Sequence, residues 1–301
     1  MARPERARAP TGVGVLGTLY IVSTPIGNLE DITLRALRVL KEVNVVAAED
    51  TRHTVKLLSH YDIRTPLIAY HQHSDAGRTA NLVARLLEGQ SIALVTDAGT
   101  PGVSDPGGEL ITAAIDAGVV VVPIPGASAV LTALVGGGLP TVRFAFEGFL
   151  PRTKSTRRSK LAGLAGTELR TLVFYEAGNR TADTLAEMAQ AFGPERLCAV
   201  GRELTKRFEE FIRGPLGDVA ARYKTVDQRG EVTIVVAGKP ENEPSPNPSL
   251  RKGGEPEEAI ASALREALAG GASERDAVRQ VSADLKASRR EVYAAMLALK
   301  G

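Results

Sequence analysis

The chain has 301 residues, 44% hydrophobic and 24% charged, with 37 Lys and Arg against 35 Asp and Glu. That length exceeds one small core and predicts two or three globular domains. A net charge of +2 excludes a uniformly basic chain, so any phosphate-binding surface has to be local. One cysteine, Cys198, and four histidines exclude an internal disulfide and argue against a metal cage, so no metal is expected. Cys198 sits in the apolar run 197–200 and reads as a small buried hydrophobe, which suits a reducing cytosol.

Residues 1–16 carry no apolar segment and read as a disordered tail rather than a signal peptide. A strand-then-helix rhythm follows. Leu19–Ser23 is a short apolar strand, and Asp31 is placed to cap a helix carrying Leu34, Leu37 and Leu40. Val43–Ala48 and Ile92–Thr96 are further strands; Asp105–Ala117 reads as a helix and Val119–Val122 as a strand. Apolar runs between helices predict a buried, mostly parallel sheet. The uncharged stretch Ala117–Val142 is long enough to span a bilayer, but Pro123-Ile124-Pro125-Gly126 breaks it. No membrane span is expected.

A second α/β block has strands at Leu172–Tyr175, Leu197–Val200, Phe208–Ile212 and Val232–Ala237. Helices are expected at Thr181–Phe192 and Leu216–Tyr223, and the alternation at Phe208–Phe211 predicts a mixed sheet. Five prolines in residues 239–256 mark a linker. Three short helices close the chain, the second starting at Ser273 and the third at a capping box, Ser288 to Glu291. The short link between the last two has helix-turn-helix spacing. The expected organisation is a tail (1–16), an N-terminal α/β domain (17–141), a C-terminal α/β domain (142–238), a linker (239–256) and a helical module (257–301).

Two small-residue loops follow separate strands: Asp97-Ala98-Gly99-Thr100-Pro101-Gly102 and Pro123-Ile124-Pro125-Gly126-Ala127-Ser128. In an open α/β sheet, ligands bind beyond the carboxyl ends of the strands. Two such loops predict a shared cleft, although either alone reads equally well as an ordinary turn. The loop Thr24–Leu29 leaves the first strand in the same way, and the chain has neither a dinucleotide fingerprint nor a phosphate loop.

Taken in order, Thr24–Leu29, Ala48-Glu49-Asp50-Thr51-Arg52, Asp97–Gly102, Pro123–Gly126, Glu147-Gly148-Phe149-Leu150-Pro151, Phe174-Tyr175-Glu176 and Arg202-Glu203-Leu204-Thr205-Lys206 resemble the ribosomal RNA small subunit methyltransferase I family. That family is a ribose-methylating branch of the tetrapyrrole methylases, and the resemblance covers about residues 17–240. It implies two α/β domains with S-adenosylmethionine in the cleft between them, a homodimer, and a decoding-region cytidine of 16S RNA, in the small ribosomal subunit, as target. Carried onto this chain, it implies cofactor contacts at Asp97, Gly99 and Thr100 and at Pro125, Gly126, Ser128 and Ala129. Ile26, Phe174 and Tyr175 are expected as further walls. The helical tail resembles the family's C-terminal addition.

Two other groups invite a role. Arg152, Lys154, Arg157, Arg158 and Lys160 form a run of five positive charges with no negative one, expected to dock RNA phosphates or to be a solvated face. Glu49, Asp50 and Arg52 end an apolar strand, where they either orient the acceptor ribose as catalytic groups or form a helix cap with a surface ion pair. Rival readings are a small-molecule tetrapyrrole methylase and a non-enzymatic nucleic-acid-binding regulator using the tail.

Overall fold

The computed structural model describes residues 16–71, 76–165, 168–225, 230–239, 256–269, 272–285 and 289–299. Most of the expected N-terminal tail and linker, together with Ser288 of the expected capping box, lie outside them. The chain divides into two compact units, Met1–Pro240 and Glu241–Gly301.

The first sheet holds β1 (Thr18–Val22), β2 (Val45–Ala48), β3 (Leu67–Ala69), β4 (Ile92–Val95) and β5 (Val120–Ile124). Their order is β3-β2-β4-β1-β5, all parallel. Side chains alternate across each strand. Leu19, Val45, Ile92 and Leu94 pack with Leu82, Leu86, Leu110 and Ala114 from α3 (Ala76–Leu87) and α4 (Gly108–Asp116). On the other face Val22, Val46, Ala93 and Val95 meet Ala36, Val39, Leu40 and Leu58 from α1 (Leu34–Glu42) and α2 (Thr51–His60). Both faces are covered, so these strands are apolar at nearly every position.

Thr33 caps α1, its Oγ1 accepting the Ala36 N–H at 3.1 Å. Asp31, expected in that role, lies in a short 3-10 turn two residues earlier. The sequence reading also passes over β3, α2 and α3.

The second sheet is mixed. It holds β6 (Phe144–Phe149), β7 (Thr171–Ala177), β8 (Leu197–Arg202), β9 (Glu210–Pro215) and β10 (Glu231–Val236) in the order β6-β7-β10-β8-β9. Only β6 and β7 run parallel. α6 (Lys154–Ala165), α7 (Gly178–Phe192) and α8 (Leu216–Tyr223) cover one face through Leu161, Leu185, Met188, Val219 and Tyr223. The other face is covered by α5 (Ala129–Gly137), whose Val130, Ala133 and Leu134 pack on Val173, Ala199 and Val235. The strand expected from Phe208 begins at Glu210, and Phe208 is exposed beneath the Arg207 guanidinium.

No helix among the described residues is long and apolar enough to cross a membrane; the uncharged stretch 117–142 folds into β5 and α5. In the second unit, α9 (Pro256–Ala269), α10 (Glu274–Asp284) and α11 (Arg289–Ala298) share a core of Ile260, Leu264, Ala277, Val281, Val292 and Met296. Ser273 caps α10 through the Asp276 N–H.

Candidate active site

In the first sheet β1 and β4 are neighbours, yet the chain leaves them toward opposite faces, to α1 and to α4. That divergence opens a crevice at their carboxyl ends, the usual ligand position in such a sheet. A clasp joins the two departing loops there. The Thr24 N–H donates to Gly99 O at 2.9 Å, and the Gly99 N–H returns to Thr24 O at 3.2 Å. Thr24 Oγ1 donates to Thr96 O at 3.1 Å, and Ser23 Oγ lies 2.8 Å from Thr100 Oγ1. Gly99 holds φ +83°, a left-handed conformation that costs other residues backbone strain.

A cavity of about 280 Å³ lies against this clasp. Ile26, Asp97, Ala98, Gly99, Thr100, Val103, Ser104 and Asp105 line it from the first sheet's loops, Glu49 from the end of β2, and Ser128 and Ala129 from the start of α5. Phe149, Tyr175, Glu176, Glu203, Leu204, Lys206 and Glu231 to Thr233 close it from the second sheet. Tyr175 packs edge-on against Phe146, ring centroids 4.8 Å apart, and tilts against Phe149 at 5.5 Å. Burial, with help from the nearby Asp105 charge, pushes its phenol up to about 12.

The cavity is acidic. Burial pushes Asp105 up to about 6, and repulsion from Glu49 and Glu231 adds to it against a hydrogen bond from Thr96. Burial also raises Glu49, opposed by a hydrogen bond from the Asp97 backbone and reinforced by the Asp97 and Asp50 charges. Lys206 is the cation among the described lining residues, and its Nζ lies 3.0 Å from Glu203 Oε1. Clustered carboxylates with raised affinity for protons form a site that favours a cationic guest.

Of the expected cofactor contacts, Ile26, Asp97, Gly99, Thr100, Ser128, Ala129 and Tyr175 line this cavity. Phe174 does not: it is 0% exposed in the core between β7 and the helices. Adjacent strand residues face opposite ways, so Tyr175 takes the cavity side. Pro125 and Gly126 are exposed and lie outside the lining.

The Glu49–Arg52 run is split. Glu49 reaches the cavity, whereas Asp50 caps α2 through the Arg52 N–H at 2.8 Å. Hydrogen bonds from the Arg52 side chain hold the Asp50 carboxyl down to about 2. The Arg52 side chain is 88% exposed and belongs to this cap rather than to a cavity wall.

The basic run is split as well. Arg157 is 7% exposed. Its Nε donates to Glu187 Oε2 at 2.6 Å, and its guanidinium also reaches the Pro151 and Arg152 carbonyls. Lys160 is held by the Glu147 carboxylate at 3.1 Å and carbonyl at 3.0 Å. Arg152 and Lys154 are exposed, and Arg158 is half exposed with Glu187 3.4 Å away. A guanidinium this buried, bonded to Glu187 and to two carbonyls, serves the fold, and Arg157 is a structural cation.

The sequence reading missed Asp105 and Glu231 as cavity residues. Asp105 carried a signal, a carboxylate set among Pro and Gly residues just after the Asp97–Gly102 loop. Glu231 opens β10 and reaches the cavity only through sheet pairing.

The model of the tetrapyrrole (corrin/porphyrin) methylases matches residues 18–220. The ribosomal RNA small subunit methyltransferase I of Synechocystis sp. is 46% identical over 286 residues, 95% of this chain and 99% of that protein. The protein of the same name from Bacillus subtilis is 41% identical over 289 residues, covering 96% and 97%. The chain belongs to the ribosomal RNA small subunit methyltransferase I family. Its fold also matches the crystal structure of uroporphyrin-III-C-methyltransferase from Thermus thermophilus, with a TM-score of 0.53 at 24% identity over 73% of this chain and 94% of that one. The match to the family model takes in both loops of the clasp and most of the cavity wall, so the methyltransferase assignment and the acidic cavity concern the same part of the molecule.

Proposed function

We propose that the cavity binds S-adenosylmethionine and that the enzyme methylates the ribose 2′-hydroxyl of a decoding-region cytidine in 16S ribosomal RNA. The observation that carries this reading is the acidic cavity at the divergence of β1 and β4, in a chain that aligns over nearly its whole length with ribosomal RNA methyltransferases. The residues present fit the cofactor. Its sulfonium and ammonium are positive, which suits Asp97, Asp105, Glu49 and Glu231; its adenine ring suits an apolar wall such as Ile26, Tyr175 and Phe149.

When bound, the cofactor supplies a methyl group on a good leaving group. The protein's work is to align acceptor oxygen, methyl carbon and sulfur and to exclude water. With it in place, a C–O bond would form as the C–S bond broke, leaving the electron pair on sulfur, and the hydroxyl proton would pass to a base on the protein. Asp105 and Glu49 are the carboxylates whose raised proton affinity suits that task.

The substrate in this reading is the assembled small subunit, met in the cytoplasm by a homodimer. The exposed Arg152, Lys154 and Arg158 contribute phosphate contacts, and the helical module 257–301, beyond the 239–256 linker, helps engage the particle. Single-turnover methylation of deproteinised RNA and of small subunits, with the modified nucleotide mapped, tests the assignment. Transfer to a base atom, or to no RNA, refutes it.

A further inference from the structure

Beside the first cavity lies a second, of about 570 Å³, within the size range of small-molecule sites. The two share Ile26, Asp97, Ala98, Lys206 and Glu231. Past that common wall their chemistry diverges. The first is ringed by further carboxylates, whereas the second is built from the Thr24–Leu29 loop and from His53, Lys56 and Leu57 of α2. We propose that this second cavity seats the acceptor nucleotide, with its base against Pro25, Leu29 and Leu57, its phosphate on Lys56, and its ribose turned to the common wall beside Lys206.

Three observations support this placement. Methyl transfer needs the reacting atoms about 3–3.5 Å apart, so donor and acceptor sites have to adjoin, and these two cavities do. A nucleotide is anionic, and beyond the shared Asp97 and Glu231 the first cavity adds Glu49, Asp105, Glu176 and Glu203, whereas the second adds exposed Lys56, which attracts its phosphate. Leu29 is 39% exposed and Leu57 half-buried, which leaves an apolar surface for a base taken out of its stack.

Lys206 is fixed at the junction by the backbone around it. Glu203 and Thr205 hold φ +50° and +67°, a strained conformation for residues with side chains. The loop packs so closely on Gly27 that a Cβ there would lie 2.6 Å from Lys206 Cγ and 3.0 Å from Thr205 Oγ1. The Lys206 Nζ is paired with Glu203 Oε1 at 3.0 Å, so Lys206 stands beside the ribose as one half of an ion pair, and the phosphate is left to Lys56. This assignment moves the acceptor contact from Asp50 and Arg52, which bond each other, to the next turn of the same helix.

The proposal rests on the RNA-methyltransferase reading and names where that substrate enters. The test uses the full-length protein, small subunits, and RNA carrying a photoreactive 5-iodocytidine at the mapped methylation position. Lys56→Glu should raise KM for small subunits about tenfold, with kcat and the calorimetric Kd for S-adenosylmethionine within twofold of the parent. Lys56→Arg should restore KM. Photocrosslinks should map to residues 24–29 or 53–57. An unchanged KM, an equal loss of cofactor affinity, or crosslinks confined to other segments overturns the placement while leaving the enzyme assignment intact. A parent protein that methylates no RNA overturns both.

Discussion

Thr24 and Gly99 exchange a pair of backbone hydrogen bonds, 2.9 and 3.2 Å long, across the carboxyl ends of β1 and β4. The clasp ties a loop of the second cavity to a loop of the first, and it depends on Gly99 at φ +83°. The nearest atom to a Cβ there is Ile26 Cγ2 at 3.7 Å, so a methyl group fits and the cost is conformational alone. Gly99→Ala should lower stability by about 1–2 kcal/mol and weaken cofactor binding severalfold. Denaturant melts and calorimetry check both; parent affinity in Gly99→Ala means that the cofactor does not use this loop.

Asp105 sets a pH dependence. Its folded pKa, near 6, lies above the ordinary 3.8. The folded chain holds the extra proton between those values, so stability is lost as pH rises from about 4 to about 6, and the penalty is complete above that. Asp105→Asn should therefore raise Tm at pH 8 and change it little at pH 4. A cationic ligand favours the ionised form, so affinity for S-adenosylmethionine should increase from pH 5 to 7 in the parent and stay flat in Asp105→Asn. Parallel pH profiles for the two proteins would exclude Asp105 from the cofactor's surroundings.

The basic run should divide under mutation. Arg157→Ala leaves Glu187 buried without its principal partner and should cost about 3–5 kcal/mol, read from urea unfolding. Arg152→Ala and Lys154→Ala should leave stability unchanged and reduce the salt slope of RNA binding by about one unit per lost contact. An Arg157→Ala protein as stable as the parent, with a shallower salt slope, would return Arg157 to the RNA-facing set.

Among the described residues, the hydrophobic cores of the first unit use none beyond Val236. Deleting residues 251–301 should leave the α/β part with its parent Tm and cofactor affinity while slowing methylation of small subunits. Full-rate methylation by the truncated protein would remove the helical module from substrate engagement.

What could be read in advance followed from how each part is held. β1, β2 and β4 announce themselves because helices cover both faces of their sheet, and β5 through the four valines of Val119–Val122, although Val120 is 59% exposed at the sheet edge. β3 offers only Leu67, Ile68 and Ala69, too few to show a period, and α2 opens with the polar residues Thr51, Arg52 and His53. Some misplacements were avoidable. Phe174 and Tyr175 are neighbours on one strand, so only one could face a cavity. Arg157 lies four residues before Leu161 on a helix, hence on the same buried face. Asp105 and Glu231 are different, because their proximity exists only once two sheets are assembled.

The placement of α5 bears on how the cavity is held together. The helix follows β5 directly, yet Val130, Ala133 and Leu134 root it in the second sheet. Its first turn carries Ser128 and Ala129 into the cavity wall, while the Thr24–Gly99 clasp is anchored in the first sheet. The two walls thus belong to different sheets, and the chain joining them is the exposed Pro125-Gly126 segment. That joint has no slack: a Cβ on Gly126 would lie 2.9 Å from Ser23 Cβ, so a bulkier residue there would push one wall of the cavity away from the other.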